Sequence, residues 1–415
     1  MSTSRFVLLV LFSTFLSCKL ATAQESISLN EATARALQAN LNIAVVMRGR
    51  DVETALALQA ASRPNPTLSG QVEDLRSQNR IATIAISQQL ETAGKRDKRM
   101  AAADASLAMA DADILIAQAE ISAKTYAAFY QVLAAQQAQT LAQELLEIAT
   151  TSKQTTAKRV LAGKVSPVEE TKAKVAEAGL KIDLANANQQ LTAAKQRLGS
   201  LWAKGLNANN NEGFMAVGEL ENLPALPVLS DLIAQLADSP RMKKAALAIT
   251  QKQAFLAIEQ SKQTPDVTLS LGAQRNEELG GITQAIIGLS VPIPVFDKNQ
   301  GNLQSAKARE FQAADEKAAL ENQLQTELAD AYSRRQLQVE ASSMYQNDIL
   351  PGAESAYKAA RKGFEFGKFS FLEVLDAQRT LFQAKTLHVQ ALALARLAEA
   401  DIHSILGSKN IGELP

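Results

Sequence analysis

The chain has 415 residues, 47% of them hydrophobic and 21% charged, with 43 basic residues balanced by 43 acidic ones. That balance removes any global electrostatic reason to bind nucleic acid, and one Cys with two His is too few for a Cys/His zinc site, a disulfide framework or an iron–sulfur cluster. Few aromatics, 19 Gly and 11 Pro among abundant Ala, Gln, Leu, Glu and Lys are the composition of long helices, so the expected fold class is mainly α with a small β part.

Residues 1–23 read as a signal peptide: Arg5, an apolar stretch from Phe6 to Leu16, and the small-x-small site Ala21-Thr22-Ala23 before Gln24. Cys18 offers a rival reading as the acylated first residue of a lipoprotein. A lipobox wants Leu three residues before the Cys and a small residue directly before it, and those positions hold Phe15 and Ser17. Past residue 24 no uninterrupted apolar run reaches the ~18 residues of a membrane-spanning helix, so any membrane crossing by this chain is made by strands.

A first repeat is expected over 24–204. It opens with a helix, then two short alternating segments at about 66–75 and 80–90, with Leu68, Gly70 and Val72 on one face of the first and Ile84 and Ile86 on one face of the second. A long helix over about 94–162 follows, on the order of 100 Å if unbroken. Its residues Leu107, Ile114, Ile121, Ala128, Ala135, Ala142 and Ala149 keep a seven-residue spacing, predicting one small-residue seam against a neighbour. The basic cluster Lys95, Arg96, Lys98 and Arg99 at its start reads as a solvated helix start or, alternatively, as a contact with the membrane surface. Trp202, near the end of the next helix, reads as a packing or capping residue. Residues 205–228, with Gly205, the Asn207–Asn211 run, Gly213, Pro224 and Pro227, read as a linker.

The second repeat, 229–415, has the same order. Val267, Leu269, Leu271 and Ala273 alternate with Thr268, Ser270, Gly272 and Gln274, predicting a strand over about 266–275, and a companion is expected at 282–293. A long helix over about 298–366 should kink or break at Pro351-Gly352. His388 and His403 sit on the last helix as ordinary helix residues with no cysteine nearby, which argues against a metal site.

The duplication is written in the residues. Pro64-Asn65-Pro66-Thr67-Leu68-Ser69 returns as Pro265-Asp266-Val267-Thr268-Leu269-Ser270, and Gly163-Lys164-Val165-Ser166 returns as Gly367-Lys368-Phe369-Ser370. Two strands per repeat give four per chain. Four strands cannot close a barrel, and an open edge in lipid leaves backbone N–H and C=O groups unpaired at several kcal/mol each. If the strands span a membrane, copies pool them in a ring, which also sets the long helices side by side as a tube. The rival is a small soluble sheet, favoured by the scarcity of aromatics, since only Phe296 lies near a strand end.

The phrases LETAGKR (90–96), AGKVSPVEETKAKVA (162–176), PIPVFDKNQGN (292–302) and FGKFSFLEVLDAQRTL (366–381), with the duplicated strands, resemble the TolC family of outer-membrane efflux ducts, and within it the CzcC-like subgroup serving cobalt, zinc and cadmium resistance. The resemblance implies a homotrimer whose strands close one β-barrel in outer-membrane lipid and whose helices extend it into the periplasm. It also implies two partners, a periplasmic membrane fusion (adaptor) protein and an inner-membrane RND pump, with no cofactor. A soluble periplasmic coiled-coil scaffold or adaptor is the competing function. An adaptor should show one hairpin and a lipoyl-like β module, whereas this chain has two hairpins and no such module.

Both breaks read as helix hairpins: Gly163 or Gly367 ends a helix, Lys164 or Lys368 is exposed, Val165 or Phe369 follows, and Ser166 or Ser370 caps the next helix with Glu169 or Glu373 three residues on. Placed at the far end of a ~100 Å helix, these eight residues are expected to form the periplasmic tip that meets the adaptor. Glu373 and Asp376 share a helix face, and the resemblance implies carboxylates there that line the pore aperture. Capping alone also accounts for Glu373. No Ser/His/Asp grouping, phosphate loop or carboxylate pair stands out, so no enzyme activity is expected.

Overall fold

A computed structural model describes residues 25–202 and 213–407. The predicted signal peptide with Cys18, and residues 205–212 of the predicted linker, lie outside the described residues. The chain begins with β1 (Glu25–Ile27) and two helices, α1 (Leu29–Ala39) and α2 (Leu41–Ala60), then β2 (Thr67–Glu73), β3 (Ile81–Leu90), α3 (Lys95–Leu161) and α4 (Pro167–Gly199). After β4 (Phe214–Ala216) come α5 (Leu229–Gln235), α6 (Pro240–Ser261), β5 (Val267–Asn276), β6 (Ile282–Ser290), α7 (Gln300–Met344), α8 (Leu350–Glu365) and α9 (Phe371–Leu406).

β2, β3, β5 and β6 form one antiparallel sheet in the order β2-β3-β5-β6, joined across the repeats by the β3–β5 ladder from Leu90↔Val267 to Ile81↔Asn276. β6 stops at Ser290, short of the predicted 293, because Pro292 and Pro294 have no N–H to donate to a ladder. At the other end of the helices, α3 and α4 fold into one hairpin and α8 and α9 into another.

α3 runs for 67 residues, about 100 Å. The seven-residue seam describes it only in part: Ile121 and Ala149 are buried, whereas Leu107, Ile114, Ala128, Ala135 and Ala142 are half-buried. At mid-length the buried face widens to Ser122, Thr125, Tyr126, Phe129 and Val132, because α1, α2, α4, α6 and α9 all pack on this helix. The second long helix is interrupted where Pro351 predicts. Tyr345–Ile349 form a π-turn between α7 and α8, which absorbs the missing N–H and the ring of Pro351 while the helix continues.

The linker is also more than a spacer. β4 pairs in parallel with β1, Glu25 opposite Phe214, and Phe214 and Ala216 join Ile27, Phe129, Val132, Leu191 and Leu198 in one core cluster. Trp202 packs at the edge of this cluster, its ring 6.0 Å from that of Phe214. A second core lies under α5 and α6, where Leu232, Leu236 and Met242 meet Leu324, Leu328 and Ile402.

Candidate functional site

The four-stranded sheet is turned inside out relative to a soluble one. Its register places Leu68, Ile86, Leu271 and Ile287 in one row across the four strands, and on the same face stand Val72, Ile84, Leu269 and Leu289. This apolar face is the more exposed: Leu68 is 75% exposed, Ile287 77% and Leu289 71%. The opposite face carries Ser69, Gln71, Thr83, Ser87, Ser270 and Gln274, and Gln274 donates to the Thr83 hydroxyl at 3.3 Å. β3, β5 and β6, of nine or ten residues, match the apolar band of an outer membrane when tilted near 45°, and β2, of seven, is shorter. Both edges, β2 and β6, end the sheet unpaired in a single copy. Among the described residues no helix is long and apolar enough to cross a membrane.

Where strands pass into helices, three of the four residues of the basic cluster are engaged by the protein, while Lys98 is exposed. Lys95 Nζ reaches the Asp266 carboxylate at 2.6 Å, Arg96 donates to the Ala61 carbonyl at 2.7 Å, and Arg99 pairs with Glu91. Burial pushes the Asp266 carboxyl up, but Lys95, the Thr92 N–H and the Gln89 amide more than offset it and hold it below the usual carboxylate range. In the second repeat Asn299 does the equivalent work by donating to the Glu259 carbonyl at 2.9 Å and its carboxylate at 2.7 Å. Gly94 and Asn299, the N-caps of α3 and α7, both adopt left-handed backbone, with φ of 67° and 60°.

At the far end the two hairpins have the same construction. Gly163 has φ 67°; its N–H bonds the Val160 carbonyl and that of Lys164 bonds the Arg159 carbonyl. Gly367, at φ 72°, repeats this with Phe364 and Gly363. These are left-handed C-caps of the Schellman type. Ser166 accepts from the Val168 N–H, and Pro167 takes the first helical turn. Ser370 and Glu373 form a full capping box, so the Glu373 carboxylate is engaged by the Ser370 N–H at 2.6 Å and its hydroxyl at 2.9 Å. Asp376 is exposed, and among the described residues no cation lies within ion-pair distance of it. Gly163, Lys164, Ser166, Gly367, Lys368, Phe369 and Ser370 are all exposed and Val165 is half-buried.

Two features of this end were not read from the sequence. Arg159 of the first hairpin donates to the Phe364 carbonyl at 2.9 Å and lies over the Phe364 ring at 4.4 Å, tying the hairpins together. Phe369 lies on the bare backbone of Gly363, where an added Cβ would meet the ring at 2.2 Å. The first contact depends on how α3 and α8 meet, and the second on how the turn of the α8–α9 hairpin folds Phe369 back, where its N–H also bonds the Gly363 carbonyl at 3.3 Å.

Midway along the helices lies a buried ionic cluster, also unread. Arg396 donates to the Tyr126 hydroxyl at 2.8 Å and to Glu399 at 3.2 Å, and its guanidinium stacks over Tyr130 at 4.3 Å. Arg396 also donates to the Asn222 carbonyl and Arg335 to that of Pro224, so two buried cations hold the described part of the linker. His403, a helix residue as expected, is buried within 5.8 Å of the Tyr126 ring: burial, with Arg335 close by, pushes its imidazole down to about 4. His388 is buried as well, 3.1 Å from the Ser342 hydroxyl.

An inside-out sheet, paired hairpins at the far end of long helices and a two-fold repeat have counterparts among known proteins. The model of the outer membrane efflux protein family matches residues 33–204 and 233–408. The cobalt-zinc-cadmium resistance protein CzcC of Cupriavidus metallidurans is 36% identical over 382 residues, covering 92% of this chain and 90% of that one. The cation efflux system protein CusC of Escherichia coli K12 is 26% identical over 200 residues, 45% of this chain and 43% of its own. The crystal structure of the outer membrane protein VceC from Vibrio cholerae superposes with a TM-score of 0.76 at 20% identity, covering 91% of this chain and 96% of that one. The chain, matched in both of its repeats, belongs to the outer membrane efflux protein family.

Proposed function

We propose that this protein is the outer-membrane duct of a tripartite export system for heavy-metal cations, working as a homotrimer with a periplasmic adaptor and an inner-membrane RND pump. The observation that carries the reading is the sheet: an exposed apolar face, a hydroxyl- and amide-bearing opposite face, and two open edges. Three copies give a twelve-stranded wall with its apolar face to lipid, its polar face to a water-filled lumen and every edge paired. The helices prolong the lumen into the periplasm, and the hairpins around Gly163–Ser166 and Gly367–Ser370 meet the adaptor. At that end Asp376 is the carboxylate free to act at the aperture, whereas Glu373 is held in its cap. The duct performs no chemistry on its cargo, and metal selection falls to the pump, because this chain brings almost no thiol or imidazole ligands.

The metal assignment draws on CzcC, named for cobalt, zinc and cadmium resistance, and on CusC, named for cation efflux. Two experiments test the proposal. Envelope fractionation with unboiled and boiled gels should give a heat-sensitive oligomer in the outer membrane; a soluble periplasmic monomer overturns the duct. A deletion strain should lose tolerance to cobalt, zinc or cadmium. Unchanged tolerance to all three overturns the cargo while leaving the duct standing.

A further inference from the structure

The helical wall has two free sides, and they match. Within one copy α2 packs on α3, α3 on α6 and α6 on α7, which leaves one flank of α2 and one of α7 uncovered. The α3–α6 junction is where the first repeat meets the second. In a ring the same junction recurs between copies, with α7 in the place of α3 and the next copy's α2 in the place of α6. The equivalence can be counted from the caps. Ser106 stands twelve residues beyond Gly94, the N-cap of α3, and Phe311 stands twelve beyond Asn299, the N-cap of α7. Gln251 is likewise twelve beyond Ser239, the N-cap of α6, and Val52 twelve beyond Asn40, the N-cap of α2.

Ser106 and Gln251 touch: the Gln251 amide donates to the Ser106 hydroxyl at 2.8 Å. Their equivalents are Phe311 and Val52, which the described residues of their own copy leave largely open: Phe311 is 71% exposed and Val52 58%. The second polar pair of the junction, Lys244 with Asp113, has Val45 and Ala318 as its equivalents by the same count, and Val45 is 68% exposed. Both polar contacts inside the copy are therefore apolar pairs in the free flanks.

The free flank of α2 is shaped for a knob. Leu41, Val45, Val52 and Leu56 are spaced 4, 7 and 4, a heptad seam on the side turned away from the buried Ile43. Val45, Arg48, Gly49 and Val52 outline a hole at i, i+3, i+4 and i+7, and a Cβ at Gly49 would meet nothing within 4 Å. Charge agrees with the alignment. Asp315, one turn beyond Phe311 on α7, falls level with Arg48, one turn before Val52 on the antiparallel α2.

We propose that Phe311 of each copy inserts into the Val45–Arg48–Gly49–Val52 hole on α2 of the next copy, and that this aromatic knob is the periplasmic seam between copies. The occupant is a second copy of this chain, and the inference rests on the duct reading above. Its test is site-directed crosslinking in the full chain, in a Cys18→Ser background that removes the only native cysteine. Phe311→Cys combined with Gly49→Cys, and Phe311→Cys combined with Val52→Cys, should convert at least half of the outer-membrane protein in one pair to a reducible ladder of covalent oligomers. Each single substitution should give less than a tenth of that. Phe311→Ala should lower the temperature at which the unboiled oligomer dissociates without changing helix content by circular dichroism. A heat-sensitive oligomer that forms no crosslink in either pair, and whose dissociation is unmoved by Phe311→Ala, overturns the seam while leaving the duct intact. A wild-type chain that shows no oligomer overturns both.

Discussion

Arg396 and Glu399 sit 4% and 1% exposed in the middle of the helical body, and their value is better measured by removal than by counting. An ion pair taken out of water contributes little net stability, yet deleting one partner leaves an uncompensated buried charge that costs about 3–5 kcal/mol. Arg396→Met is therefore expected to lower the unfolding midpoint markedly and to free the Glu219–Pro224 stretch to limited proteolysis. Unchanged protease resistance there would show that Arg335 alone holds the linker. His403 makes a pH prediction at the same scale. Its folded value, about 4, lies below the ordinary imidazole value of 6.5, so below pH 6.5 the unfolded chain takes up a proton that the folded chain refuses. Stability from this group is complete above pH 6.5 and falls as pH drops toward 4, by about 1.4 kcal/mol per unit. His403→Leu should flatten that acid limb of the denaturation profile, and a variant with the wild-type slope refutes the assignment. None of this cluster was legible in the sequence. Arg396 and Glu399 show only an i, i+3 spacing, while Tyr126 comes from 270 residues earlier in the chain.

Elements were far more legible than side chains. Period-two alternation found the strands because one face differs chemically from the other, and the Gly-Lys-x-Ser breaks announced hairpins because left-handed caps and serine N-caps have few alternatives. Pro351 marked an interruption, although its form, a π-turn placed before the proline, depends on how the neighbouring helices hold the chain straight. The seven-residue seam of α3 misled at mid-length, where helices press on it from several sides and periodicity to a single neighbour loses its meaning. Adding a methyl group at Gly363 must move the Phe369 ring off the backbone it rests on, so, on the proposed adaptor contact, Gly363→Ala should weaken copurification of the adaptor with unaltered helix content. Full adaptor recovery would remove Phe369 from the contact surface.

For the molecule as a whole, the decisive property is which face of the sheet meets lipid. Leu271→Arg places a cation on the apolar face of β5, whereas Ser270→Arg places it on the neighbouring, opposite face. The first is expected to cost about 2–4 kcal/mol near the middle of the bilayer and to deplete the assembled outer-membrane form; the second should be tolerated. Equal losses would mean that the sheet does not sit in lipid in this orientation. The wall also has a history in time. Its central ladder joins Leu90 to Val267, so the first repeat's hairpin cannot join the four-stranded sheet until the polypeptide has emerged well into the second. Pairings this distant are slow to find, since loop closure must precede any reward from contact. During that delay Leu68, Ile84 and Ile86 present bare hydrocarbon to water, a strip open to mispairing and aggregation until the second hairpin arrives.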